Sequence, residues 1–428
     1  GYVQRAVRKM EIFLGRFPRR GRIIRRVIRR VRVLFFPGMV FEEMGFAYFG
    51  PVDGHNTTEL VEVLGYVKDL KGPVLLHVVT RKGRGYDPAE DSPVEFHGMP
   101  GFDIETGEAK KGAPSEKTVP AFTAVFGRTL VELAKKDPRI CAITAAMPEG
   151  TGLDLFRDAF PKRYYDVGIA EEHAVTFAAG LAAEGMKPVV AVYSSFMQRS
   201  FDQVQHDVSL QKLPVVIAMD RAGIVGEDGP THHGVFDLSL FRMIPDIVMM
   251  APADENELQH MLATAFACGA PALLRYPRGK GCGVPMDPCP RALPLGKGRL
   301  LSRGGDVNFL AIGNRVHPAV KTAQLLKGRG IDAGVADLRF IKPLDTELVK
   351  SLVRAGPVIT VEDNVLAGGF GSAVLEYLNS AGIDARVLRL GIPDAYVEQG
   401  KPEELYADIG LTPVKMAASA AEWLGKQR

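Results

Sequence analysis

The sequence predicts an α/β protein of three domains, built of mostly parallel sheets covered by helices, with the first domain incomplete. Three observations carry that expectation. At 428 residues the chain exceeds one ordinary hydrophobic core. From residue 116 onward, short and almost uninterruptedly apolar runs alternate with longer helical patterns, as parallel strands covered on both faces require. A Pro- and Gly-rich stretch, GKGCGVPMDPCPRALPLGK at 279–297, then divides that rhythm in two. The expected domains are therefore residues 1–115, 116–285 and 286–428.

The first block is the least regular. It offers one good strand, within GPVLLHVVTRKGRGY (72–86), flanked by FGPVDGHN (49–56) and PVEFHGMPGFD (93–103). Residues 16–32, RFPRRGRIIRRVIRRVR, set Ile23, Ile24, Val27, Ile28 and Val31 at helical spacing among arginines, which predicts a basic amphipathic helix. Such a helix suits an anionic lipid or nucleic-acid surface, or a solvated face covering its own domain. No aromatic rings interleave with the arginines as stacking platforms, so nucleic acid is not an expected partner.

The second block supplies RICAITAAMPEG, RYYDVGIAEEH, KPVVAVYSSF, LPVVIAMDRAGIVG and DIVMMAPADENE. Each run breaks into a loop rich in Gly, Ser, Asp, Glu or Arg, and open α/β sheets bind ligands at those carboxyl ends. The candidates are Met147, Glu149, Glu171, Tyr193 to Arg199, and Arg221 to His233. The third block repeats the alternation in VNFLAIGN, GIDAGVADLRFIKPLD and PVITVEDNVLAGGFGSAVLEYL. Its GGFGS, residues 368–372, lies between a strand and a helix. Backbone amides there suit either a phosphate or a tightly packed turn, and packing is the expectation.

Composition narrows the class further. Hydrophobic residues at 46% and charged residues at 24% describe an ordinary globular chain. No apolar run reaches the ~18–20 residues of a membrane span. A net charge of +3 excludes a polyelectrolyte. The four cysteines lack CxxC spacing and fit reduced thiols in a cytosol-like compartment. The chain begins with Gly1 and shows no signal peptide, which reads as a processed start or a fragment.

Chemistry concentrates in a few loops. DRAGIVGEDGPTHHGVFD (220–237) presents Arg221, Asp228, His232 and His233, residues suited to proton transfer beside an anion. Adjacent histidines rarely reach one ion, and no further ligand stands at metal spacing, so no metal is assigned. VYSSFMQRSFDQVQHDV (192–208) places Tyr193, Phe196 and Arg199 at a strand end, although Phe196 alone would pass for a core ring. RYPRG (275–279) leaves Arg278 free to grip a phosphate. Together these loops point to a phosphorylated small substrate. In YYDVGIAEEHAVTFAAGLAAEG (164–185), Glu171 and Glu172 open a helix, where carboxylates complement the dipole.

These strings, with FGPVDGHN and GIPDAYVEQG, resemble the 1-deoxy-D-xylulose-5-phosphate synthases of the transketolase superfamily from about residue 40 to the end. DRAGIVGEDG and RYPRG narrow the resemblance within that superfamily. It implies a transketolase-like three-domain arrangement, thiamine diphosphate as cofactor and a homodimer. Glu171 matches the glutamate that bonds the aminopyrimidine ring, Phe196 the ring stacked on it, and Arg199 its neighbour. Tyr193, Asp228 and His232 match the substrate pocket, with His232 as the proton-transfer group. Arg221 and Arg278 match the pair binding the phosphate of glyceraldehyde 3-phosphate. His97 and Tyr86 match first-domain residues near the thiazolium and the pyruvate-derived group. Glu172, His173, His206 and His233 are expected to be structural or supporting.

The implied reaction condenses pyruvate with glyceraldehyde 3-phosphate, with loss of CO2, in isoprenoid biosynthesis. The family's GDG motif, early histidine pair and asparagine, which hold Mg2+ and the cofactor diphosphate, have no counterpart in this sequence. The chain as given is therefore expected to be inactive alone. The alternatives are a non-catalytic dimerising or regulatory remnant, or one half of a split enzyme. The expected location is cytoplasmic, or plastid stroma in a plant or alga.

Overall fold

Alternating apolar runs and amphipathic helices settle into two units, divided after Glu116. The computed structural model describes residues 38–98, 101–109 and 119–425. The arginine-rich stretch 16–32 lies outside the described residues.

In the first unit, β1 (Ala47–Asp53) leads through α1 (Thr57–Val67) to β2 (Val74–Val79). The two strands pair in parallel, with Ala47 opposite Val74 and Asp53 opposite Val79. β2 falls where the sequence predicts a strand, whereas β1 overlaps FGPVDGHN, where it predicts none. Gly50 and Pro51 interrupt the strand pattern there, and the register slips between Phe49 and Val52. The end of that motif caps a helix: Asn56 accepts from the Glu59 N–H at 3.2 Å and starts α1.

The second unit opens with α2 (Phe122–Lys136) and β3 (Ile140–Thr144). There follow β4 (Tyr164–Asp166), α3 (Glu171–Ala183), β5 (Lys187–Tyr193), β6 (Val216–Asp220), β7 (Val248–Met250), α4 (Glu255–Ala267) and β8 (Ala272–Arg275). The later part contributes β9 (Arg299–Ser302), β10 (Val307–Ala311), α5 (Val316–Lys327), β11 (Ala333–Asp337) and β12 (Phe340–Lys342). It ends with β13 (Val358–Val365), α6 (Phe370–Ser380), β14 (Val387–Ile392) and α7 (Pro413–Gly425).

A seven-stranded sheet runs β12-β7-β8-β6-β5-β3-β4, parallel except for β12. Side chains alternate along its strands. In β5, Val190 and Val192 join a core with Ala174, Val175, Ala178 and Ala182 of α3. Val189 and Ala191 face the other way, into a core with Phe126 and Leu130 of α2. Burial on both faces explains why these strands read as continuous apolar runs. Each fully buried Val or Leu contributes about 1.5–3 kcal/mol of transfer free energy. A five-stranded sheet, β14-β13-β10-β11-β9, forms a second layer system with α5 and α7 against its own core.

Two features tie the later part to the earlier. β12 pairs antiparallel with β7, Phe340 opposite Met250, so the seven-stranded sheet takes an edge strand from beyond the linker. Beside it, Arg339 donates through Nε and Nη2 to the two carboxylate oxygens of Glu257, both at 2.7 Å. The glycine-rich turn 368–372 packs as expected. Its Phe370 and Gly371 amides donate to buried Glu362 at 2.7 and 2.8 Å, so a side chain of this protein fills the cradle.

Candidate active site

The order of the parallel strands decides which loops meet. β8, β6, β5, β3 and β4 are successive neighbours, and their carboxyl ends lead into Arg278, Arg221, Tyr193, Gly150 and Glu171 respectively. One sheet edge thus gathers residues scattered over more than a hundred positions of sequence.

At one end, Glu171 is buried at the first position of α3. Arg199 Nη1 donates to its Oε1 at 2.5 Å. The same guanidinium lies 5.0 Å from the Phe196 ring centroid. Phe196 is half-buried, packs against the edge of the core, and meets Tyr193 at 5.5 Å and His232 at 5.3 Å between centroids. Arg221 stacks over Tyr193 at 3.7 Å. Glu171, Arg199, Phe196, Tyr193, His232 and Arg221 therefore form one continuous chain of contacts. Glu172 and His173 point outward and are exposed, which suits a helix-dipole role for Glu172.

Arg221 is a non-glycine residue in the left-handed region, φ 62°, directly after β6. Three contacts hold it there: the Tyr193 ring, the Asp220 carboxylate at 3.1 Å, and the Gly150 carbonyl, to which Nη1 donates. Burial pushes the Asp220 carboxyl up to about 6, against the opposing pull of Arg221 and of the hydroxyl of Thr123. Burial also raises Tyr193, with the nearby Arg221 opposing.

Arg278 is not free. Its Nη1 donates to Asp228 Oδ2 at 2.7 Å, and the pair is about half exposed on both sides. An ion pair so placed is worth about 0–1 kcal/mol and exchanges readily for another anion. His232 Nδ1 bonds the Thr231 hydroxyl at 2.9 Å. His233 has a different task. Its Nδ1 accepts from the Val225 N–H at 3.1 Å, so Nε2 carries the proton and donates to the Glu398 carbonyl at 3.1 Å. That closed pairing fits a supporting residue. A cavity of ≈ 660 Å³ opens beside these residues, lined by Ser195, Gln198, Thr231, Phe236 and Tyr396 among others.

Met147 and Glu149 follow β3 but take structural parts. Met147 accepts from Thr151 through its carbonyl, and Glu149 pairs outward with Arg157 at 3.4 Å. Tyr86 and His97 belong to the first unit. The Tyr86 ring packs with Phe96 and Phe102, and its hydroxyl donates to the Ile104 carbonyl at 2.9 Å. His97 is exposed at the end of a short helical turn.

Sequence reasoning missed Gly150, Asp220 and Arg275. A Cβ at Gly150 would collide with the Tyr193 hydroxyl, so only glycine lets that loop pass. Arg275, in the same RYPRG string as Arg278, is 2% exposed and bonds Asp237 at 2.9 Å and Asp363 at 2.6 Å. Its place in the last position of a buried strand was the available signal. Among the described residues, no group of three or more His, Cys, Asp or Glu side chains is placed to hold a metal ion.

A thiazolium–pyrimidine cofactor fits the residues present. Ser195 lines the cavity, its Oγ is buried with no hydrogen-bond partner among the described residues, and the next residue, Phe196, is half-buried. A planar, nitrogen-bearing ring has both a stacking surface and polar partners there.

Comparison with known proteins gives three family matches. Residues 2–80 match "1-deoxy-D-xylulose-5-phosphate synthase", 119–282 "Transketolase, pyrimidine binding domain" and 296–416 "Transketolase, C-terminal domain". The 1-deoxy-D-xylulose-5-phosphate synthase of Syntrophus aciditrophicus is 54% identical over 94% of this chain, and the chain spans 62% of that relative's length. The synthase of Syntrophotalea carbinolica is 50% identical over 100% of the chain and 68% of the relative. A solved "Split gene transketolase, inactive beta4 tetramer" is 32% identical, with a TM-score of 0.64, covering 73% of this chain and 100% of its own.

Proposed function

This chain belongs to the 1-deoxy-D-xylulose-5-phosphate synthase family, and from that we propose that it carries the pyrimidine-side half of a carboligase site. The reaction joins pyruvate to glyceraldehyde 3-phosphate with loss of CO2. The observation that carries this reading is the contact chain from Glu171 through Arg199 and Phe196 to Tyr193 and His232.

Thiamine diphosphate, when bound, supplies the nucleophilic carbon and the electron sink. Glu171 would bond its pyrimidine ring, held in place by Arg199, and Phe196 would offer a stacking face. By the resemblance, His97 and Tyr86 would serve near the thiazolium and the pyruvate-derived group. His232 suits proton transfer at a carbonyl oxygen, because an imidazole can both give and take a proton and its Nδ1 is oriented by Thr231. Arg221 and Arg278 would bind the substrate phosphate. Arg278 does so by exchanging Asp228 for it, at the small cost of an exposed pair. Tyr193 fixes Arg221 by stacking. Mg2+ would be held with the diphosphate by residues not identified in this sequence.

A second reading draws on the split-gene transketolase, whose full length aligns with 73% of this chain. Here the chain would be one half of a two-polypeptide enzyme. One experiment separates the readings: assay the purified chain with cofactor, Mg2+ and both substrates, alone and with the N-terminal third of the Syntrophotalea carbinolica relative added. Product from the chain alone overturns the half-site reading. Product only with the added segment supports the split enzyme, and Glu171→Ala should then lower the rate by about 100-fold or more. No product in either case, with unchanged folding, sinks the catalytic reading.

A further inference from the structure

The string GIPDAYVEQG (391–400) runs from the end of β14 into an irregular segment of the third block, and it adds no residue to the contact chain from Glu171 to Arg221. Its place in the fold is against the loop that carries His232. That loop, residues 221–236, has φ of 100° at Gly226 and 71° at Gly229. Glycines lose more conformational freedom on ordering than other residues, so a loop built on them needs a hold from outside.

The third block supplies that hold. The Gly400 N–H donates to the Gly226 carbonyl at 3.4 Å. A Cβ at Gly226 would come within 3.1 Å of the Gly400 carbonyl oxygen, and one at Gly229 within 3.2 Å of Gln399 Cβ. The two segments therefore lie backbone against backbone. Val397 shares a core with Ile224 and Val235 of the loop, and the Tyr396 ring meets Phe236 edge-on at 6.4 Å.

His233 joins the two segments. It is 2% exposed. Its Nδ1 accepts from the Val225 N–H of its own loop, and its Nε2 donates to the Glu398 carbonyl of the third block, each at 3.1 Å. His232, the next residue, turns instead to the Phe196 ring, 5.3 Å away between centroids. Both histidines rest on one turn: their N–H groups donate to the Gly229 carbonyl at 3.0 and 3.2 Å. An imidazole pinned at 233 fixes the backbone from which His232 projects.

We propose that His233 is a positioning residue, which tethers the His232 loop to the third block and so keeps His232 against Phe196. What His232 does there rests on the carboligation reading; the tether does not.

The test labels the histidines of the full chain with carbon-13 at Cε1. It follows the His232 resonance, identified by its loss in His232→Gln, at about pH 8, where an ordinary imidazole is neutral. The neighbouring Phe196 ring displaces that resonance from the position of an exposed histidine. His233→Phe keeps a ring but neither hydrogen bond, and should return the resonance to the exposed position. His233→Gln keeps a donor near Nε2 and should leave it in place, whereas His233→Asn keeps only an acceptor near Nδ1 and should not. An unmoved resonance in a folded His233→Phe chain overturns the proposal. So does a His233→Gln chain displaced as far as His233→Phe, or a His233→Asn chain that holds the resonance, since the Val225 bond alone would then suffice. If His233→Phe does not fold, the Gln and Asn variants decide. With the N-terminal third of the Syntrophotalea carbinolica relative added, His233→Phe should lower the rate of product formation about tenfold, but less than about twofold in a His232→Gln background. Equal losses in both backgrounds overturn the proposal. No product from the unaltered chain in that assay removes the carboligation reading and leaves the resonance to decide the tether.

Discussion

Arg275 and Arg278 stand three positions apart in RYPRG, yet they do different physical work. Arg278 is half exposed and holds one carboxylate it can release. Arg275 is buried between Asp237 and Asp363, and Ser194 Oγ also donates to Asp237 at 2.8 Å. Those two aspartates balance the cost of desolvating the guanidinium. Removing one partner leaves like charges buried together. Arg275→Leu should therefore destabilise the second unit by about 3–5 kcal/mol, measured by urea unfolding, whereas Arg278→Leu should change it by less than about 1 kcal/mol. Equal effects would show that the buried network is not what joins these segments. That Glu171, Phe196, Arg199 and His232 stand in the loops and helix starts after the strands was legible in the string itself. That Arg278 would be paired, and that Arg221 would be stacked and bonded to the Gly150 carbonyl, was not. Those contacts are made by residues tens of positions away.

At the scale of the element, α6 shows how a helix start can be satisfied from within. GGFGS is the kind of sequence that binds phosphate, but Glu362 of β13 reaches its amides first. Gly369 permits this, since a Cβ there would strike Glu362 and Asn364. Burial pushes the Glu362 carboxyl from the ordinary 4.5 up to about 8, outweighing the two amide bonds that favour its charged form. A native pKa above the unfolded one means that the folded state binds the proton more tightly. The stability so gained is full below about pH 4.5 and is lost as pH rises through about 8. Asp337, pushed up to about 7 by burial and then by Glu257, acts in the same direction. Calorimetric scans should show the unfolding temperature falling between about pH 5 and pH 8, with a shallower fall in Glu362→Gln. An unchanged slope in that variant would refute the assignment. The strand and helix of this turn were readable from periodicity and the glycines. The occupant of the turn was not, because a carboxylate inside an apolar strand gives no sign of which amides it will face.

For the whole molecule, the division after Glu116 predicts independent folding of the larger unit. Residues 117–428 expressed alone should unfold cooperatively within about 3 °C of the matching transition in the full chain. A non-cooperative melt would mean that the larger unit needs the first. The sequence by itself determined the class of fold, since strands covered on both faces must be apolar throughout and their helices must repeat every three to four residues. It also determined which residue types stand at the carboxyl ends of those strands. The tertiary structure decided which of those ends are neighbours, because strand order is set by crossover connections and not by spacing along the chain. It decided, too, that an edge strand of one sheet comes from beyond the linker, since β12 is too short to announce itself and is held by its pairing with β7 and by the Arg339–Glu257 contact.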